Sequence, residues 1–229
     1  MTAKEFISKL EKLKSAADLK KYEKFFDVKK LKMIGVRMGS IFKLAKEYSA
    51  MDLKEVEQLL KSDIHEVKVG AVSILDYKAR DKKSSEEEKE KVFDLYIKMH
   101  DRINTWDLVD RSAIYVVGGC LADRKRDILY KLAKSKLMAE RRTAIVATAY
   151  FMMKLNQTED TFKLAEILLN DDEDLIHKAV GWMLRIAGGV DEKGLLSFLD
   201  RHANKMPRVM LRYSVEKFDK KKKDYYMKL

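Results

Sequence analysis

The sequence predicts an all-α protein, a curved solenoid of stacked antiparallel helix pairs, and three observations carry that expectation. Turn-forming residues are scarce: 229 residues include one proline, Pro207, and nine glycines. A sandwich or barrel of short strands would need turn residues roughly every 8–12 positions, so that class is excluded. Apolar residues recur at helical spacing almost from end to end. Small residues inside those apolar runs also recur, at Ala71, Ala113, Ala144, Ala179 and Ser214, with spacings of 42, 31, 35 and 35 residues. A period near that value belongs to helix-pair repeats, in which a small residue lets neighbouring helices approach.

Taken in chain order, Phe6, Leu10 and Leu13 form one apolar stripe, Leu53, Val56 and Leu60 another, and Val92, Leu95 and Met99 a third. The third follows Ser84-Ser85 and three glutamates, a helix start in which hydroxyl caps and first-turn carboxylates satisfy free N–H groups. Asp160 or Thr161 is the expected cap before residues 162–169, and Gly188-Gly189 the expected stop of the helix before them. Segments of about 10–20 residues with short joints suit stacked helices. The length fits one domain over 1–216, followed by a lysine-rich tail over 217–229 with six lysines and two aspartates, which reads as a solvated, frayed segment or, alternatively, as a non-specific phosphate-contacting arm.

Composition narrows the function classes. Apolar residues make up 46% and charged residues 37%, which excludes disorder throughout. The single cysteine, Cys120, has no partner for a disulfide or a metal cluster and reads as a buried apolar residue. The N-terminus lacks the apolar core of a signal peptide, and the longest nearly apolar run, 113–122, is far short of a membrane span. These features lead to the expectation of a cytoplasmic, soluble, monomeric protein without membrane contact. The 48 Lys and Arg against 37 Asp and Glu leave a net charge of +11, which favours polyanions as partners. Two residues before each repeated small residue from Ala113 onward stands a basic side chain or histidine: Arg111, Arg142, His177 and Arg212. Helices stacked in register would place these four on one surface.

No phosphate-binding glycine loop, zinc-protease string or nucleophile elbow is present, and His65, His100, His177 and His202 are too scattered for metal-ligand spacing. No metal or cofactor is expected. Two places are unusual. In 104–111, Trp106 and Asp110 are four apart and share a helix face, while Asp107 suits the helix start. In 175–185, Lys178, Trp182 and Arg185 follow i, i+4, i+7 opposite the apolar Ile176, Val180 and Met183. Gly181 inside that helix costs about 1 kcal/mol relative to alanine, which the close approach of another backbone, a nucleic-acid strand among them, would offset. A tryptophan on a helix is often core. Here both tryptophans sit amid charge, and a carboxylate between two tryptophan faces suits a cation better than a phosphate.

The strings Gly35-Val36-Arg37-Met38-Gly39, Trp106-Asp107-Leu108-Val109-Asp110, Arg141-Arg142-Thr143-Ala144-Ile145 and Lys178-Ala179-Val180-Gly181-Trp182-Met183-Leu184-Arg185 occur in this order. On them the chain resembles the AlkD-like DNA alkylation repair glycosylases, which are built from HEAT-like helix pairs. The resemblance departs at Gly39, where members often carry proline, and at Ile186, where glutamate is frequent. It implies a monofunctional glycosylase of base excision repair that releases N3-methyladenine and N7-methylguanine from double-stranded DNA without flipping the base. By the same resemblance Asp110 is the catalytic carboxylate, Trp106 and Trp182 flank the deoxyribose, and Arg142 holds the adjacent backbone. Arg37 and Arg185 match phosphate contacts; Lys178, Arg111 and Arg212 join them as candidate DNA-binding residues. The alternative is a non-catalytic repeat protein that binds branched or duplex DNA with the same stripe. A protein-interaction scaffold is the third reading.

Overall fold

The computed structural model describes residues 1–24, 26 and 31–229, and among these the regular structure is helical apart from one isolated bridge between Lys32 and Ile64. The contacts divide the chain into two compact units, Met1–Val116 and Val117–Leu229. The first holds α1 (Ala3–Glu11), α2 (Ala16–Tyr22), α3 (Met38–Glu47), α4 (Leu53–Leu60), α5 (His65–Arg80), α6 (Glu86–Lys98) and α7 (Trp106–Ala113). The second holds α8 (Asp127–Leu132), α9 (Met138–Leu155), α10 (Glu159–Ile167), α11 (Asp174–Val190), α12 (Glu192–His202), α13 (Arg208–Ser214) and α14 (Lys220–Lys228). A π-helical segment, Ile114–Gly118, continues from α7.

This is an all-α fold of the α-solenoid kind, and the repeat explains it. The five recurring small residues lie on α5, α7, α9, α11 and α13, and all five are buried. In the first unit α5 is the inner helix: every residue from His65 to Asp76 is buried, and it packs on α3, α4, α6 and α7. In the second unit α9 and α11 take that place, with α11 meeting α9, α10, α12 and α13. α5 and α9, buried nearly all round, cannot be amphipathic in the ordinary sense and carry apolar residues on most sides, whereas α11 buries one side.

The helix start read from the sequence at Ser84-Ser85 is present, and α1 has a similar one. Ser85 caps α6 in a reciprocal capping box with Glu88, and Thr2 does the same for α1 with Glu5. Four expectations change. Leu13 lies beyond the end of α1 and is 45% exposed, so the first stripe stops at Leu10. The cap of α10 is Thr158, not Asp160 or Thr161. Gly188 and Gly189 do not stop α11, which runs on to Val190; a Cβ at Gly188 would strike the Leu195 side chain of α12. Residues 217–229 are not a solvated tail. Asp219 caps α14, and Tyr226 is buried against Phe218 with its hydroxyl donating to Asp200 Oδ1 at 2.7 Å.

Gly181 records how closely the inner helices approach. A Cβ there would stand 2.5 Å from the Met210 carbonyl oxygen and 2.6 Å from Tyr213 Cβ, so the backbone that comes near is that of α13, not a nucleic-acid strand. Gly118 meets the Ala147 carbonyl and Tyr150 Cβ of α9 in the same way. Both glycines face partners 29 and 32 residues onward, which is the repeat expressed as a contact. Gly189, on the same helix as Gly181, faces open space. Gly181→Ala should therefore lower stability by about 1–3 kcal/mol through overpacking, while Gly189→Ala should raise it by up to about 1 kcal/mol. Denaturant melts of the two variants followed by circular dichroism separate these signs.

Candidate functional site

In the first unit the candidate residues gather at the start of α7. His65, the first residue of α5, is buried, and its Nε2 lies 2.8 Å from Asp107 Oδ2. Asp107 sits in the first turn of α7, where the helix dipole favours an anion. The other oxygen of Asp107 and His65 Nδ1 are buried without a hydrogen-bond partner among the described residues. Trp106 stacks on Phe26, centroids 5.6 Å apart and planes 9° from parallel, and Phe26 also lies 5.2 Å from the His65 ring. Asp110 is one turn further along α7, half-buried like Trp106 and on its side of the helix. Before α7, Lys68 Nζ donates to Asn104 Oδ1 at 3.2 Å; burial, reinforced by the charge of Arg102, pushes the Lys68 ammonium below its ordinary pKa.

Arg111 turns inward. Its Nε donates to Ser73 Oγ at 3.0 Å and its Nη1 to Asp76 Oδ2 at 2.5 Å, and the guanidinium lies over the rings of Phe42 and Tyr77. Burial pushes the Asp76 carboxyl up, against the pull of Arg111 and Arg80. Arg37 is exposed, with Nε 2.8 Å from Asp18 Oδ2. Hydrogen bonds from Lys21 and then Arg37 hold the Asp18 carboxyl below the usual carboxylate range.

The segment that presents Arg37 is fixed by a buried carboxylate. Glu66 Oε1 accepts from the N–H groups of Ile34, Gly35 and Val36 at 3.0, 2.7 and 3.4 Å. The Tyr22 hydroxyl donates to the Val36 carbonyl at 2.6 Å. Gly35 has φ +79°, and a side chain there would run into the Ser15 carbonyl, so the turn requires glycine twice over.

In the second unit α11 presents Lys178, Trp182 and Arg185 half-exposed in a row, opposite the buried Ile176, Val180 and Met183. Lys178 pairs with Asp174 at 2.6 Å and Arg185 with Glu216. Arg142 is only 5% exposed and donates to the Leu175 carbonyl at the start of α11. His177 Nε2 contacts the Asp171 carbonyl, and Arg141 grips the Asp171 carboxylate with bonds of 2.5 and 3.0 Å. Arg212 is exposed on α13 beside the Tyr213 ring. Of the four residues expected to form one basic stripe, Arg212 alone lies exposed. Arg111, Arg142 and His177 use their donors within their own units.

The sequence profile of the DNA alkylation repair enzymes matches residues 6–218. The chain belongs to that family. Among solved structures, the chain is similar to a "Predicted DNA alkylation repair enzyme from Enterococcus faecalis", with 17% identity, a TM-score of 0.67, and 90% of this chain and 95% of that chain covered. No curated protein matches. A role in DNA repair with DNA as substrate follows from the family, and it gives the charge of +11 its polyanion. No helix among the described residues is long and apolar enough to cross a membrane.

In this DNA alkylation repair protein the sequence left four contributors unseen: His65, Glu66, Phe26 and the internal role of Asp107. One signal was present. His65 and Asp107 are 42 residues apart, the same offset as Ala71 and Ala113, so the repeat itself brings them side by side on α5 and α7. Nothing comparable marks Glu66, whose partners are backbone groups. Glu66→Ala should cost about 2–4 kcal/mol, because buried N–H groups lose their acceptor. Hydrogen exchange at Ile34, Gly35 and Val36 should speed up in that variant, and unchanged protection there would contradict the assignment.

Proposed function

We propose that this protein is a monofunctional DNA glycosylase that hydrolyses the N-glycosidic bond of positively charged alkylated purines, of the N3-methyladenine and N7-methylguanine type. It acts on duplex DNA without flipping the base and serves base excision repair. The observation that carries this reading is the division of labour between the two carboxylates of α7. Asp107 is tied to buried His65, whereas Asp110 stands half-exposed one turn from Trp106, on the same side of the helix. The carboxylate matched to the family's catalytic position is thus the one that shares the Trp106 side of α7.

The chemistry needs little more. A purine alkylated at N3 or N7 is already cationic, so its glycosidic electron pair leaves with a neutral base and no acid has to protonate it. The second carboxylic acid of ordinary glycosidases has no task. What remains is a sugar with oxocarbenium character and a water that attacks C1′ and gives up its proton. Asp110 stabilises the sugar's charge electrostatically and orients the water. Phe26 covers one face of Trp106, so the opposite face is the one that meets the cation. Trp182, on α11, is the family-matched candidate for a second aromatic contact. This mechanism calls on no metal and no cofactor.

Among the DNA-binding candidates, Arg37, Lys178, Arg185 and Arg212 have accessible guanidinium or ammonium groups and fit phosphate contacts. Arg142 and Arg111 act from within, Arg142 by fixing the start of α11 and Arg111 by fixing α7 against α5.

Duplexes containing N7-methylguanine should release the base well above the spontaneous rate, and duplexes with unmodified or deaminated bases should not. Asp110→Asn should lower the single-turnover excision rate by roughly 10²–10³-fold, the scale of losing one transition-state electrostatic group, with duplex affinity nearly unchanged. Absence of release by the intact protein would overturn the function. Full activity in Asp110→Asn would overturn the mechanism alone.

A further inference from the structure

The glycosylase reading leaves α14 without a task, although its nine residues hold five lysines and one aspartate. One side of the helix is firmly anchored. Asp219 caps it, Tyr226 is buried with its hydroxyl bonded to Asp200, and Arg208 donates to the Met227 carbonyl. The opposite side presents Lys221, Tyr225 and Lys228, all exposed, with Tyr225 58% accessible. Their spacing is i, i+4, i+7 and their order cation, aromatic, cation. Lys178, Trp182 and Arg185 on α11 show the same order and spacing.

Charge pairing distinguishes this face from the rest of the helix. Lys220 is paired with Asp224 and Lys222 with Glu192, each at 2.5 Å. Lys221 and Lys228 have no ion-pair partner among the described residues. Two unpaired cations flanking an exposed ring on an ordered helix suit a polyanion that also offers flat or sugar surfaces. A helix lying in a membrane interface would instead turn a broad apolar face outward, and here the anchoring aromatic, Tyr226, faces inward.

We infer that the Lys221–Tyr225–Lys228 face of α14 is a second DNA-contacting surface, which grips duplex backbone away from the damaged nucleotide and independently of sequence. This rests on the DNA-repair reading and extends it: the face adds non-specific affinity and leaves the chemical step alone. Holding the lysines on a docked helix removes part of the ordering cost that a frayed tail would incur on binding.

The test measures binding to an undamaged duplex by fluorescence anisotropy between 50 and 200 mM KCl. It compares the intact chain, the variant Lys221→Gln/Tyr225→Ala/Lys228→Gln, and a charge-matched control, Lys82→Gln/Lys83→Gln, from an exposed turn of the first unit. Losing two phosphate contacts should lower the slope of log K against log[salt] by about 1.8, so the gain in affinity on dilution from 200 to 50 mM shrinks by about tenfold. The control should keep the original slope, and the single-turnover excision rate at saturating protein should be unchanged in both. If Tyr225→Ala lowers the melting temperature, the Lys221→Gln/Lys228→Gln variant carries the same test. An unaltered slope overturns the inference, as does an equal loss in the control. A loss seen only with phosphatidylserine vesicles overturns it in favour of a membrane surface. Should the intact chain fail to excise N7-methylguanine while the slope still falls, the glycosylase reading fails and this surface stands. Excision with an unaltered slope gives the reverse.

Discussion

At Gly181 the Met210 carbonyl of α13 comes so close that no Cβ could stand between them, and Gly118 meets α9 under the same constraint. These contacts fix how closely the helices approach, and the Gly181 contact sets where the candidate side chains of α11 point. With α11 pressed against α13, the buried face of α11 is committed to Ile176, Ala179, Val180, Met183 and Leu184. Lys178, Trp182 and Arg185 are left on the other side by helical geometry alone. The unfavourable propensity of a mid-helix glycine, about 1 kcal/mol, is offset by packing that only a glycine permits.

Charge in this protein divides into two populations by burial. Arg111 with Asp76 and Arg141 with Asp171 are pairs whose members are largely enclosed, and removing one partner would leave a charge without compensation. Such pairs position helices and cannot be surrendered to a ligand. Arg37 with Asp18, Lys178 with Asp174 and Arg185 with Glu216 are exposed on at least one side. Exposed pairs contribute about 0–1 kcal/mol, so a DNA phosphate can displace the carboxylate at little cost.

How much of this was legible in the sequence depends on the range of the interaction concerned. The repeat could be read because a small residue at each inner-helix crossing is a local signature of a long-range contact. Caps could be read at Ser85, where the hydroxyl and Glu88 are three residues apart. Gly188-Gly189 misled because glycine serves packing as readily as termination, and here Leu195 of α12 needs the space. The segment 217–229 misled because lysine content outweighs one buried tyrosine in any compositional reading, although Tyr226 alone changes a solvated arm into a docked helix. Arg142 matched a motif as a string, yet its burial depends on the start of α11, thirty-three residues away.

The pair of carboxylates in Trp106-Asp107-Leu108-Val109-Asp110 brings these themes together. Both are aspartates of one short helix, and the sequence distinguishes them only by position. The repeat places His65 of α5 beside Asp107, and the first turn of α7 adds the favourable end of a helix dipole. Asp107 is thereby absorbed into the packing of α7 on α5, and with Phe26 stacked on Trp106 it fixes the entry angle of that helix. Asp110, one turn later on the Trp106 side, lies beyond the first turn that the dipole favours. Under the proposed mechanism a catalytic carboxylate has to remain accessible while its supporting helix stays rigid, and two aspartates three residues apart would divide those demands, Asp107 holding the helix and Asp110 facing the substrate.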